Sequence, residues 1–494
     1  MNEHEKSDEC VVPVKHVNKD RAAARSAERV EERRSTKGNS TAETKNRSQS
    51  RGILQQNLRR VREAVDRYRG QQLTSLWHHC YNVDHLRSVF LDMKKTAAPG
   101  VDGVTWYDYE ENLEDNLQDL SGRLARGAYR ARPVRRTYIP KSHGKQRPLG
   151  IPTVEDKIVQ GITKKVLDEV YERTFCCFSH GFRPKRKAHD ALDALSFAIK
   201  KRSVSWVLDA DIRGFFDAID HGCLMEMVER QIGDQRVLRH IKKWLNAGVL
   251  ENEKKWIQEY GTPQGGSISP LLANVYLHFA FDMWADEWRQ TEARGEVYVV
   301  RYADDFVVCF EYQDDAKRFL EQLKERFKRF HLELHPDKTR LIEFGRYAAA
   351  TRKRKGRRKP ETFDFLGFTH YCAKTRTGRF QAGRKTQRAK AAAKLKGLQE
   401  ELMRRMHDPV SVTGAWLARV LRGHYNYYGV PGNAKAMGSF RNALSRLWYT
   451  ALRRRSQKGR LPWTRMSRIL NKWLPLPKIT HAWPDDRFRA KYPR

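Results

Sequence analysis

Apolar positions recur along most of this chain, and their period changes from segment to segment. Leu54, Leu58, Val61 and Val65 stand at helical spacing and predict a basic helix from Leu54 to Tyr68. Val83 to Lys95 reads as a second helix, which Pro99 and Gly100 break at the loop APGVDGVT. Another helical stretch leads into the strand-like YIPKSHGKQRPLGIP, with Gly144 at a hairpin turn. Glu155 to Phe175 has the pattern of a long helix, and Val204 to Leu208 is an apolar run of strand length. Helical and strand patterns then alternate over residues 211–345, which predicts an α+β domain with a helix-covered sheet. FDFLGFTHYC is strand-like, and from Thr386 onward the pattern is mostly helical.

Composition adds a partner to this picture. The chain has 494 residues, enough for about three domains, and a formal net charge of +37. Charge of that size points to a polyanion, and to nucleic acid before membrane. Residues 1–50 do not supply it. They hold eleven Lys/Arg, nine Asp/Glu and no Phe, Tyr or Trp, the composition of a disordered, nearly charge-balanced tail. The excess lies further on. Arg346 to Pro360 carries eight Lys/Arg and no acidic residue, as an exposed insertion able to touch phosphates. Pro409 to Pro484 carries fourteen Lys/Arg and no acidic residue. Trp416, Tyr425, Tyr427, Tyr428, Trp448, Tyr449, Trp463 and Trp473 are interleaved there. Such a mixture suits backbone contacts with base stacking, with about half of the rings expected in the core instead. The seven cysteines form no C-x-x-C pair, so neither a zinc module nor a disulfide framework is expected, and a reducing cytoplasm fits. No run approaches the ~18 apolar residues of a membrane span. The acidic start of the chain (Glu3, Glu5, Asp8, Glu9) does not resemble a leader.

The candidate chemistry is carboxylate chemistry. In VYVVRYADDFVVCF, residues 297–310, two β-branched apolar runs flank a polar centre, which predicts a hairpin with Asp304 and Asp305 at its tip. Adjacent carboxylates between hydrophobic strands repel each other unless a cation neutralises them, although an A-D-D turn alone is common. In WVLDADIRGFFDAIDH, residues 206–221, an apolar strand ends in Asp209 and Asp211, with Phe216 five residues past the second. Two-metal nucleotidyl transfer requires carboxylates from separate strands around ions about 4 Å apart, and these two segments offer them. Asp217 and Asp220 read as caps or solvated residues of the next helix. In YGTPQGGSISPLLANVYL the Gly265–Gly266 pair allows close backbone approach to a ligand, ahead of a buried or amphipathic helix.

Eight blocks in order make a specific pattern: APGVDGVT, IPKSHGKQRPLGIPTVEDKIVQ, SHGFRPKRKAHDAL, DADIRGFFDAIDH, TPQGGSISPLLANVYL, VRYADDFVV, HPDKTRLIEF and FDFLGF. Over Leu73 to at least Trp483 the chain resembles bacterial group II intron-encoded reverse transcriptases, also called maturases. The resemblance implies a right-hand polymerase of fingers and palm followed by an α-helical thumb. Its boundaries would be a tail at 1–50, an N-terminal extension and fingers at 51–205, and a palm with primer grip at 206–385. A helical thumb or maturase domain X would follow at 386–460, then a basic segment at 461–494 as a candidate DNA-binding tail. It implies that Asp211, Asp304 and Asp305 are the catalytic metal-binding triad, with the Ile212 carbonyl as a further ligand. The metal would be Mg²⁺ as two ions, with Mn²⁺ as a substitute. Lys141 and Arg147 resemble the triphosphate-binding pair, Phe216 the steric gate against a 2′-hydroxyl, and Gln264 a neighbour of the nascent base pair. Lys338 matches the lysine assigned to pyrophosphate departure, and Phe365, Leu366 and Gly367 belong to the primer grip.

The implied partners are group II intron RNA, target DNA with its primer, and dNTPs, in the bacterial cytoplasm at the nucleoid and without a membrane. One departure is that many family members end in an H-N-H endonuclease domain with cysteine pairs; no such pairs occur in this sequence, so that domain is not expected and priming is expected from a nick, a fork or single-stranded DNA. The alternatives are an RNA-binding splicing factor that keeps the polymerase fold as a scaffold, or a reverse transcriptase of a gene-diversifying or phage-defence lineage.

Overall fold

The computed structural model describes residues 41–140, 146–251, 254–256, 261, 265–357, 359–375, 377–455 and 461–491. Most of the charged tail expected over 1–50 lies outside them, as does the hairpin turn at Gly144. The first helix, Thr41–Arg67, starts earlier than the apolar spacing indicated. Leu54, Leu58 and Val61 form its buried stripe, and upstream Ser50 is buried too, donating to Asp84 at 3.0 Å.

Helices and sheets mix, giving an α+β architecture. The strands are β1 (Val134–Pro140), β2 (Gln146–Ile151), β3 (Trp206–Ala210), β4 (Val249–Glu251), β5 (Lys254–Trp256) and β6 (Val297–Tyr302). They continue as β7 (Asp305–Phe310), β8 (Arg340–Glu343), β9 (Phe363–Phe365), β10 (Phe368–Lys374) and β11 (Phe380–Thr386). Among the described residues they form three sheets, ordered β2-β1-β4-β5, β6-β7-β3-β8 and β11-β10-β9.

The sheet β6-β7-β3-β8 is antiparallel throughout and buried on both faces. Val299, Phe306, Val308, Phe310 and Leu208 enter one hydrophobic cluster, shared with the helices Val154–Tyr171, Ser269–Leu277 and Gln313–Lys328. Their neighbours Tyr298, Val300, Val307, Cys309 and Val207 enter a second, shared with the helix Ala188–Lys201 and the β9–β11 sheet. Side chains alternate between faces along a strand, so cover on both sides turns alternation into the continuous apolar runs VYVV and FVVCF.

The C-terminal helices Arg388–Arg404, Val410–Tyr428, Ala434–Arg453 and Trp463–Trp473 enclose a third cluster with Leu398, Leu417, Leu421, Phe440, Leu444, Trp448 and Leu470. Gly414 is needed there, because a Cβ would lie 2.5 Å from the Trp473 ring. The interleaved aromatics are thus mostly packing residues: of the eight, only Trp463 is exposed. The last helix, Pro484–Lys491, returns to Ala188–Lys201. It docks through Lys200–Asp485 at 2.5 Å, the pairs Arg487–Asp193 and Lys491–Asp190, and stacked Phe197 and Phe488. Among the described residues no helix is long and apolar enough to cross a membrane.

Candidate active site

One end of the central sheet collects the carboxylates that the sequence singled out. β3 ends at Ala210, with Asp209 inside the strand and Asp211 just beyond it. An isolated bridge between Ile212 and Leu334 fixes the exit. His335 N donates to the Asp211 carbonyl at 2.8 Å and Arg213 N to the Glu333 carbonyl at 2.8 Å. Neither bond uses the Ile212 carbonyl, while the Ile212 side chain is buried.

The neighbouring hairpin supplies the other two. Tyr302 pairs with Asp305, which leaves Ala303 and Asp304 as a two-residue turn between β6 and β7. Ala303 takes a left-handed φ of 57°. A first turn residue with positive φ matches strand twist but is strained for anything except glycine. The loop Ser179–Gly181 presses on this turn, with His180 N donating to the Arg301 carbonyl at 2.8 Å. A Cβ on Gly181 would lie 2.2 Å from Ala303 N.

Three carboxyls of the site bind a proton more tightly than usual. Burial pushes the Asp304 carboxyl up, Asp211 adds to the rise, and Arg147 and Lys338 oppose it. Asp305 is pushed up to about 6, by burial first and then by Asp304 and Asp211, with Lys390 opposing. Asp209 also rises to about 6, chiefly by burial, although Arg340 stands 3.4 Å away. Lys338 Nζ pairs directly with Asp211. Among the described residues no group of three or more His, Cys, Asp or Glu side chains converges with metal-binding geometry. The donor set, hard carboxylate oxygens at the end of one sheet, nevertheless has the chemistry to suit a hard divalent cation.

The other expected residues fall as follows. Arg147 is exposed on β2 and acts electrostatically on Asp304. Lys141 and Gln264 lie outside the described residues. Phe216 is half-buried in the short helix Phe215–Ala218, edge-on to Phe215 at 5.4 Å. Its carbonyl would be 3.0 Å from a Cβ on Gly261, so the start of the GTPQGG segment lies against it. Gly265, read as approaching a ligand, approaches the protein itself, since a Cβ there would be 2.4 Å from the Gly150 carbonyl of β2. Asp220 caps the helix His221–Glu229 through Cys223 N at 2.7 Å, as expected. Leu366 and Gly367 form the β9–β10 turn, with φ of 48° and 81°. Tyr427 donates to the Leu366 carbonyl at 2.7 Å.

Four residues beside the turn escaped the sequence reading: Gly181, Asn274, Asp282 and Arg301. Three of them left signals, as an arginine inside an apolar strand before YADD and as a Gly and an Asn within the SHGFRP and LLANVYL blocks, while Asp282 lies outside every block.

Residues 139–370 match the family model for reverse transcriptase (RNA-dependent DNA polymerase). The chain is 33% identical over 287 residues to Protein YkfC of Escherichia coli (strain K12), which covers 51% of this chain and 74% of that protein. It is 31% identical over 307 residues to the group II intron-encoded protein LtrA of Lactococcus lactis subsp. cremoris, covering 60% of this chain and 50% of that one. It is also 43% identical over 146 residues to an uncharacterized 91 kDa protein in the cob intron of Schizosaccharomyces pombe, covering 30% and 18%.

Proposed function

The chain belongs to the reverse transcriptase family, in its group II intron-encoded reverse transcriptase and maturase group, and from that premise we propose that it copies its host intron RNA into DNA by two-metal nucleotidyl transfer and binds that RNA to promote splicing and retrohoming. The observation that carries the reading is the gathering of Asp211, Asp304 and Asp305 at one sheet end, where burial, with charge repulsion added, raises the proton affinity of Asp304 and Asp305.

In this reading residues 51–205 are the N-terminal extension and fingers, 206–385 the palm and 386–460 the thumb. Asp211, Asp304, Asp305 and the Ile212 carbonyl would hold two Mg²⁺ ions. When bound, such ions supply charge stabilisation and a more acidic primer 3′-hydroxyl. The protein's own residues do the rest. Arg147 and Lys141 hold the triphosphate of the incoming dNTP. Phe216 crowds the 2′ position and excludes ribonucleotides. Lys338, paired with Asp211, gives a proton to departing pyrophosphate. Gln264 borders the nascent pair, and Phe365, Leu366 and Gly367 hold the primer. Catalysis then rests on positioning and preorganised charge. The intron RNA, the DNA target with its primer, and a place of action at the bacterial nucleoid complete the proposal.

Primer extension on an RNA template tests it. Asp304→Ala is expected to abolish Mg²⁺-dependent extension, and normal extension by that variant would refute the assignment.

A further inference from the structure

Arg301 is the penultimate residue of the apolar strand β6 and is fully buried. Its Nε donates to Asp282 Oδ1 at 2.6 Å, and its second arm pairs with the other oxygen of the same carboxylate, also fully buried. The remaining nitrogen donates to Asn274 Oδ1 at 2.9 Å and to the Ala303 carbonyl at 3.0 Å. Asn274 in turn donates to the Gly181 carbonyl at 2.8 Å, and Gly181 abuts Ala303 N. One guanidinium thus ties the left-handed turn residue between Tyr302 and Asp304 to a long helix and to the Ser179–Gly181 loop.

The helix is shaped for this. Between Ser269–Leu277 and Met283–Thr291 it passes through a π-helical turn, His278–Asp282, whose last residue is the partner of Arg301. Such turns insert a residue and recur at functional sites. A buried pair of this kind contributes little to stability relative to apolar side chains of similar volume, which often pack as well or better. What an apolar pair lacks is a donor for the Ala303 carbonyl. A hydrogen bond to that carbonyl fixes the peptide plane leading into Asp304, and therefore the direction of the carboxylates.

We infer that Arg301, oriented by Asp282 and Asn274, is a positioning residue that aims Asp304 and Asp305 and sets the affinity of the site for divalent cation. The inference rests on the polymerase reading, because it assigns a purpose to a turn which that reading makes catalytic.

The test replaces the pair together, Asp282→Leu with Arg301→Met, so that no buried charge is left alone. His278, 3.9 Å from Asp282, is held uncharged chiefly by burial and leaves no cation behind. Three readouts are taken: melting temperature in chelator, the rise in melting temperature on adding Mg²⁺ without substrate, and primer extension against Mg²⁺ concentration. The double variant is expected to fold and melt close to wild type, to show a smaller Mg²⁺-induced rise, and to need more Mg²⁺ for half-maximal rate. Its kcat should fall about 100-fold, the scale of a misplacement near 1 Å, with KM for primer–template unchanged. A folded double variant with wild-type kcat and Mg²⁺ response overturns the inference. Should that variant not fold, Arg301→Lys decides in the same assays. It keeps the charge opposite Asp282 but loses the fork that also reaches Ala303, and an unchanged Mg²⁺ response in it overturns the inference equally. Asp304→Ala is the control. If it extends primers normally, the polymerase reading fails; if it is inactive while the pair variants behave as wild type, only the role of Arg301 fails.

Discussion

Replacing Asp305 by Asn should make the metal-free protein more stable while removing its function. In the fold its carboxyl is pushed up to about 6, against about 3.9 in an unfolded chain. The folded state therefore holds this proton more tightly than the unfolded one. Ionising it costs stability, beginning as pH rises through about 4 and complete above about 6. At about 1.4 kcal/mol per unit, a rise of this size is worth about 3 kcal/mol at neutral pH if nothing screens it. Although packing around the carboxyl raises its proton affinity, residue Asp305 keeps an exposed edge at the turn, so water and salt reduce this to about 1 kcal/mol. In a chain this long that is roughly 1–3 °C in melting temperature. Thermal melts in chelator should show Asp305→Asn above wild type at neutral pH, with the gap closing toward pH ~4. Millimolar Mg²⁺ should then lift wild type more than the variant, since a ligand stabilises the state that binds it. A variant that melts below wild type in chelator, or an equal Mg²⁺ lift in both, would refute the account of a repulsive carboxylate site neutralised by metal.

Other outcomes follow from substitutions at the surface and around the turn. Gly181→Ala forces a Cβ to within 2.2 Å of Ala303 N; about 1–3 kcal/mol of stability should disappear by chemical denaturation, together with most primer extension. Phe216→Ala should raise ribonucleotide incorporation relative to deoxynucleotide by roughly 10–100-fold in competitive extension, with deoxynucleotide kcat little changed. Lys353, Arg354 and Lys355 are exposed at the end of the helix Ala348–Arg354. Changing all three to Ala should weaken intron RNA binding and flatten its salt dependence by about 0.7 in log–log slope for each phosphate left without its cation, which filter binding across a salt series would measure.

Local pattern made much of this fold legible. The YADD hairpin, the strand before Asp211, the helix Val154–Tyr171 and the cap at Asp220 were all readable from apolar period and turn chemistry. What local pattern leaves out is anything decided by a distant partner. The first helix extends upstream to Thr41, and Ser50 is buried against a helix more than thirty residues away. Gly265 looked free to meet a ligand, whereas its neighbour is the β2 backbone. The C-terminal aromatics looked suited to stacking on bases because they alternate with basic residues. In the helices most of them point inward, which a linear count of rings does not reveal. Arg301 was hidden for the same reason, since its charge is cancelled by an aspartate nineteen residues earlier in the chain.

The C-terminal helices bear on whether polymerisation and RNA binding can be separated. They have a core of their own, yet they grip the β9–β11 sheet at its β9–β10 turn and at Thr386. A Cβ on Gly367 would lie 2.9 Å from the Tyr428 hydroxyl, and Tyr427 holds the Leu366 carbonyl. Asn433 receives Thr386 N at 2.9 Å while donating to the Thr386 hydroxyl and the Tyr428 carbonyl. Two adjacent residues with left-handed φ in the β9–β10 turn therefore keep their geometry through contacts supplied by the helix Val410–Tyr428. Arg419 and Arg422 of the same helix face solvent, where RNA phosphates would be met in the proposed function. One helix thus supports the turn on its inner side and offers charge on its outer side. Inner substitutions should disturb both activities together, while outer ones reach RNA alone, so only the outer face can distinguish a splicing scaffold from a polymerase that also splices.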